Sequence, residues 1–160
     1  IEVSEPDISE VTLEPAIERI AYRRLWKAGL AAAVLAAAAN LFVYGAASTV
    51  GIPLLVPAPS DPTQMIPMSV LSVIVISVFA AAGATMLLAF FGLPFFRGRL
   101  PRPTRILWVT AIVMWFFSLA GPLGLPVSNE SKAVMSLMHT VTAVVIVATL
   151  TLFGRERQRK

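Results

Sequence analysis

The sequence predicts an all-α fold: a polytopic membrane protein built as a four-transmembrane-helix bundle with a short N-terminal interfacial helix. Three observations predict it. Of the 160 residues, 57% are hydrophobic and only 14% charged, against roughly a quarter charged in a water-soluble domain. The apolar residues gather in four long runs, and mean hydropathy is +0.79. Twelve of the thirteen basic residues fall on alternate sides of those runs, in one consistent register. This balance excludes a soluble globular domain. The absence of cysteine excludes a disulfide scaffold and any cysteine-ligated zinc or iron-sulfur site.

The first span is expected over 28–50, a stretch of 23 residues without charge, long enough at about 1.5 Å per residue to cross a hydrocarbon core of about 30 Å. The second covers 68–91, bracketed by Pro67 and Pro94, which suit a helix start and stop. The third covers 106–121. Gly121, Pro122, Gly124 and Pro126 interrupt it, so its outer end is expected to unwind near the interface. The fourth covers 133–153 and gives way to a basic tail over 154–160.

Ahead of the spans lies an acidic tail over 1–14, and Glu2, Glu5, Asp7 and Glu10 in it are candidates for docking a partner's basic surface. From Pro15 to Lys27, Ile17, Ile20, Ala21 and Leu25 recur at helical steps. This short interfacial helix either extends span one into the headgroups or serves as a docking arm. No charged, apolar and small-residue order marks residues 1–20 as a signal peptide, so span one is expected to be a retained anchor.

Orientation follows from Arg19, Arg23, Arg24 and Lys27 before span one, Arg97, Arg99, Arg102 and Arg105 between spans two and three, and Arg155, Arg157, Arg159 and Lys160 after span four. Only Lys132 falls on the other side. The positive-inside rule then places both termini and the middle loop in the cytoplasm, at a bacterial inner membrane. Tyr22, Trp26 and Trp108 agree, since phenol and indole rings favour the half-wet interface. The basic charge is explained by topology and contact with anionic lipids, and nucleic-acid binding is not expected. The two hairpins also echo one another. Leu-Trp opens spans one and three, and Phe-Gly closes spans two and four, as a parallel repeat would.

No span contains Asp, Glu, Lys or Arg, which argues against proton pumps, ion-coupled transporters and voltage sensors. His139 is the one in-span residue that titrates near neutrality. With Ser136, Thr140 and Thr142 it forms a polar helix face that must meet protein. The plain expectation is packing, with hydroxyls and imidazole bonded across helices or to their own carbonyls, at about 0.6 kcal/mol per interhelical bond. The sharper one is an axial haem ligand or a hydrogen bond to a quinone, yet a bis-histidine haem needs a second His that this chain lacks. Met135 and Met138 would be the only thioethers near it. Asn40, mid-span one, lies on a stripe with Gly29, Ala33, Ala36, Ala37, Tyr44 and Ala47, and reads as packing glue. A stripe of Ser69, Ser72, Ser77, Ala80, Ala84 and Gly83 on span two is expected to face it. The first outer loop, with Pro53, Pro57, Pro59 and Pro62, is expected to be extended, with Leu54, Leu55 and Val56 touching lipid, bundle or partner. No catalytic triad, paired carboxylates or phosphate loop can be assembled, so neither enzyme activity nor a resident cofactor is expected.

The four-span layout, the Pro-rich outer loop, the Arg- and Pro-rich segment 97–105 and His139-Thr140-Val141-Thr142-Ala143 resemble bacterial four-helix membrane proteins grouped as a domain of unknown function. The likeness covers about residues 25–153. It implies that His139 matters, without assigning it a role. The function expected from these features is a noncatalytic accessory or scaffold subunit of a larger membrane complex, respiratory or photosynthetic, with other integral membrane proteins and lipids as partners. The alternative is a membrane redox or small-molecule binding protein that uses His139 toward haem, quinone or lipid.

Overall fold

Four helices in the computed structural model are long and apolar enough to cross a membrane. The structure describes residues 20–93, 95 and 103–154. In chain order these form α1 (Tyr22–Thr49), β1 (Leu55–Ala58), β2 (Asp61–Pro67), α2 (Val70–Phe91), α3 (Pro103–Ser118), α4 (Ala120–Gly124) and α5 (Asn129–Phe153). The acidic residues Glu2, Glu5, Asp7 and Glu10 and the basic tail lie outside the described residues.

Local chemistry sets the helix ends. Ser69 caps α2 by accepting from the Ser72 N–H, and Ser128 caps α5 by accepting from the Ser131 N–H, both from extended backbone. Gly92 and Gly154 follow the last residues of the same two helices. The second helix of each hairpin thus opens on Ser-x-x-Ser and closes on Phe-Gly.

At the N-terminal end the expected helix over 15–27 takes a different form. Residues 15–19 lie outside the description, Ile20 and Ala21 are not helical, and Tyr22 to Lys27 are the first turns of α1. The segment therefore lengthens the first span, and the Ala21 N–H donates instead to the Gly154 carbonyl at 3.3 Å. This bond puts the start of α1 beside the end of α5. A Cβ on Gly154 would sit 2.5 Å from the Leu150 carbonyl oxygen and 3.2 Å from Leu25 Cδ1, so the junction tolerates no side chain there.

The third span also departs from expectation. The helix is interrupted at Leu119, not unwound at Gly121, and resumes as α4 through Gly124. Pro122 is accommodated because it falls in the first turn of α4, where backbone N–H groups have no intrahelical acceptor. The first outer loop is a second correction. Its extended chain folds into an antiparallel hairpin that pairs Leu55 with Pro67, Val56 with Ile66 and Pro57 with Met65, with an irregularity at Pro57/Ala58. Prolines are tolerated because both strands of a two-stranded ribbon are edges. Asp61 fixes the turn by accepting from the Thr63 N–H and hydroxyl. The Thr63 hydroxyl foremost, with that N–H, holds the Asp61 carboxyl below its ordinary range.

The core divides into two apolar clusters. One, toward the end that carries residues 20 and 154, joins Ile20, Leu25, Ala28, Ala32, Ala36, Ala81, Leu88, Leu107 and Leu150. The other, beneath the hairpin, joins Ala47, Leu54, Val73, Met135 and Met138. On α1 the buried residues Ala28, Ala32, Ala36 and Asn40 recur every fourth position, and on α2 so do Val73, Ser77, Ala81 and Thr85. These two rows face one another. The stripe expected on α2 is corrected accordingly: Ser77 belongs to the contact, whereas Ala80 and Ala84 line a cavity and Gly83 is exposed. Ala80, three positions beyond Ser77, is turned about 60° off its face, and Gly83, six beyond, about 120°.

α3 stands apart from this arrangement. Only 11% of the most apolar stretch of α3 and α4 is buried, against 28% to 33% in the other spans. α1, α2 and α5 form the tight unit, and α3 leans on it.

The closest approach is at Gly29, where a Cβ would lie 2.5 Å from Thr85 Oγ1, itself anchored to the Ala81 carbonyl at 2.7 Å. Gly29→Ala is expected to destabilise the detergent-solubilised protein by about 1–3 kcal/mol through overpacking. Adding Thr85→Ala should recover most of that loss, read as the midpoint of denaturation in mixed micelles; equal stabilities for the single and double variants would contradict the assigned contact.

Candidate functional site

Between the two apolar clusters lies a polar layer centred on Asn40, which is 4% exposed. Its Nδ2 donates to Ser77 Oγ on α2 at 2.9 Å and to Thr142 Oγ1 on α5 at 2.6 Å. Ser77 Oγ in turn donates to the Val73 carbonyl and Thr142 Oγ1 to the Met138 carbonyl, each at 2.8 Å. Both hydroxyl protons are therefore committed to backbone, and both hydroxyl oxygens can only accept from the amide. That logic fixes the amide orientation: the nitrogen must face the two hydroxyls, and Oδ1 must face away. Oδ1 is buried and has no hydrogen-bond partner among the described residues. An orphaned buried acceptor costs about 1–3 kcal/mol, so this atom marks either strain or a place for a donor.

Asn40 stands in the wall of a cavity of about 590 Å³ framed by α2, α3, α5 and the hairpin. The wall is largely apolar, with Val73, Ile76, Met114 and Ile146 among its side chains. Ile76 and Met114, on α2 and α3, line it while remaining 61% and 62% exposed. The cavity therefore opens sideways between those two helices, toward the side a bilayer would occupy. Val56 and Pro57 of β1 line its end beneath the hairpin.

His139 lies in the same wall, half-buried. Its Nδ1 is 2.8 Å from the Met135 carbonyl. A carbonyl can only accept, so Nδ1 carries a proton. Nε2 has no partner among the described residues. The imidazole thus bonds to its own helix and not across the bundle, the second of the two packing arrangements expected for it. Ser136 Oγ is buried and unpartnered, so Ser136 does not act as the interhelical glue the sequence suggests. Asn40 and Thr142 do. Among the described residues no three His, Asp or Glu side chains gather as metal ligands. Met135 and Met138 share the cavity wall with His139, as do Met68 and Met114.

Sequence reasoning missed Trp115. Its Nε1 donates to Thr140 Oγ1 at 3.0 Å, and Thr140 Oγ1 donates to the Ser136 carbonyl at 2.9 Å. This bond ties the peripheral α3 to α5 and fixes one side of the cavity. A signal existed: an indole N–H inside a span requires an acceptor, and Thr140 is a hydroxyl at similar depth.

The orphaned Oδ1 generates a stability prediction. Asn40→Leu removes two interhelical bonds, about 0.6 kcal/mol each, and also removes an unsatisfied acceptor worth about 1–3 kcal/mol. The ligand-free variant is expected to be as stable as the parent or more so in micelle unfolding. A loss of more than about 2 kcal/mol would show that Oδ1 has a partner.

No curated protein and no solved structure matches the chain. Residues 20–156, from the start of the described N-terminal segment through the end of α5 and into the basic tail, match a family of unknown function, DUF6069. With that match running across all four spans, the chain belongs to the DUF6069 family.

Proposed function

We propose that this protein is a noncatalytic membrane protein that receives a neutral, lipid-soluble amphiphile in the cavity between α2, α3 and α5. One observation carries the reading: a laterally open apolar cavity has in its wall the Asn40 side chain and an imidazole with one unpartnered nitrogen. Apolar pockets with a few convergent polar groups are the usual form of small-molecule sites. Depth supports neutrality. Asn40 lies nine residues before Thr49 at the end of α1, and His139 ten residues after Asn129 at the start of α5, about 14 and 15 Å along the helix axes. A charged headgroup drawn that far into a core of about 30 Å would lose its hydration. The accessory-subunit reading rests on charge-free spans, faces rich in small residues, an apolar loop over 54–56 and an acidic tail that lies outside the described residues. A binding role accounts for the cavity, which that reading leaves without a task.

For orientation, we propose a bacterial cytoplasmic membrane with both termini inside. The Ala21–Gly154 bond brings the start of α1 beside the end of α5, and in the sequence twelve of thirteen basic residues fall in the segments that four spans would put on one side. Reporter domains fused after Asp61 or Asn129 are expected to signal from outside, and one fused after Lys160 from inside. An inward signal at Asp61 would reverse the assignment.

Occupancy is testable by extracting the purified protein and measuring co-purified neutral lipids. Ala80→Trp places an indole in the cavity wall and is expected to reduce the retained lipid about tenfold, the factor that about 1.4 kcal/mol represents. Val78→Trp, on an exposed face outside the cavity, should leave it unchanged. Equal retention by both variants and the parent would remove the basis for a cavity ligand.

A further inference from the structure

The two hairpins of the bundle correspond position by position. Among the described residues the largest wholly buried side chains are leucines, one on each span: Leu25, Leu88, Leu107 and Leu150. Leu25 precedes Trp26 on α1 as Leu107 precedes Trp108 on α3, and Leu88 stands four residues before Gly92 as Leu150 stands four before Gly154. Aligned on these leucines, α1 and α3 turn the same face outward. Trp26, Leu30 and Val34 are exposed, and so are their counterparts Trp108, Ile112 and Phe116.

The inward faces differ. α1 presents Gly29, Ala32, Ala33 and Ala36, all buried, and its seam with α2 is so closed that a Cβ on Gly29 would sit 2.5 Å from Thr85 Oγ1. At the matching positions α3 carries Ala111, Met114, Trp115 and Ser118, and all four line the cavity. The counterparts of Gly29 and Thr85 are Ala111 and Val147. These two do not close a seam, because both also line a second, smaller groove of about 230 Å³ with Ile112 and Val144. Ile112 and Met114 project from opposite sides of Ala111, so groove and cavity flank the line where α3 meets α5. Trp115 borders both spaces.

Small residues let two helix backbones approach closely within a bilayer, and an indole where α1 has the methyl group of Ala33 does not fit a seam that narrow. The ring is also kept from turning out into lipid. Its N–H donates to Thr140 Oγ1 at 3.0 Å, and hydrocarbon would offer that donor no acceptor. Resting on the reading of the cavity as an amphiphile site, we infer that Trp115 is the positioning residue that keeps the site open: its indole is a wedge that holds α3 off α5, where the matching helices of the first hairpin are closed. The bulk of the ring sets the separation, and the bond to Thr140 fixes where that bulk sits. The compartment for the ligand is thus built into the second hairpin by one large side chain in a face that is small in the first.

The test uses the full-length purified protein in mild detergent. The chain has no cysteine, so spin labels can be placed at Phe117→Cys on α3 and Leu137→Cys on α5, both exposed and outside the cavity wall. In that background Trp115→Ala is expected to shorten the distance between the labels by about 2 Å, the span over which interaxial distances vary with the side chains at the contact. It should also lower retained neutral lipid about tenfold, as Ala80→Trp does, while the midpoint of denaturation stays near the parent's because new contacts between α3 and α5 replace those of the ring. Trp115→Phe, which keeps most of the bulk without the N–H, should keep both the distance and the lipid. An unchanged distance in Trp115→Ala, a variant too unstable to isolate, or an equal collapse in Trp115→Phe overturns the wedge and leaves the amphiphile site standing. A shortened distance with lipid retained overturns the positioning role in the same way. If Ala80→Trp leaves the lipid content unchanged, the reading of the cavity fails, and the role given to Trp115 fails with it.

Discussion

One amide holds the polar layer of this bundle together. Asn40 Nδ2 reaches one hydroxyl on α2 and another on α5, so a single side chain sets the relative depth of three spans. Lipid tails are as apolar as leucine side chains, and apolar packing alone registers helices weakly within a bilayer. A buried hydrogen bond is directional and intolerant of a shifted partner. The small residues around it follow from the same constraint. Ala32, Ala36 and Ala81 are wholly buried, and their short side chains permit the close approach that bonds of 2.6 to 2.9 Å require.

The orientation of that amide has a cost that the fold does not remove. Because Ser77 and Thr142 donate to their own helix backbones, the carbonyl half of Asn40 must turn away from them. Register is thus set at one end of the amide group, and the unpartnered oxygen stands at the other. The looser placement of α3 extends the point, since a helix with few buried residues can border an opening without weakening the three-helix unit.

Much of the fold was legible because membrane solvation leaves long marks. A charge-free run such as 68–91 has few structural alternatives once water is absent, and α2 occupies 70–91 of it. The hairpin was not legible. Pro57, Pro59 and Pro62 argue against strand pairing by local preference, and the irregular register at Pro57/Ala58 arises from how the ribbon sits on the bundle. At the site, Asn40, Ser136, His139 and Thr142 could be singled out as polar residues in apolar spans. Their division of labour could not. It depends on rotamers and on which carbonyl each hydroxyl meets, as with Ser136, left unpartnered, and Trp115, whose partner Thr140 lies on another helix. The face of α2 that meets α1 was likewise ambiguous, since small residues occur all around that helix and only contact distinguishes Ser77 and Ala81 from Ala80 and Ala84.

The bond between Asn40 and Thr142 joins residues 102 positions apart, the first span to the last. During synthesis, at about 5–20 residues per second, the amide would enter the bilayer roughly 5–20 s before its second partner is made. Ser77, 37 positions on, arrives first and can occupy one of the two donor protons. The other remains exposed to hydrocarbon or to whatever polar group the insertion machinery supplies. The first hairpin therefore carries one amide proton without its final partner until α5 inserts and closes the layer.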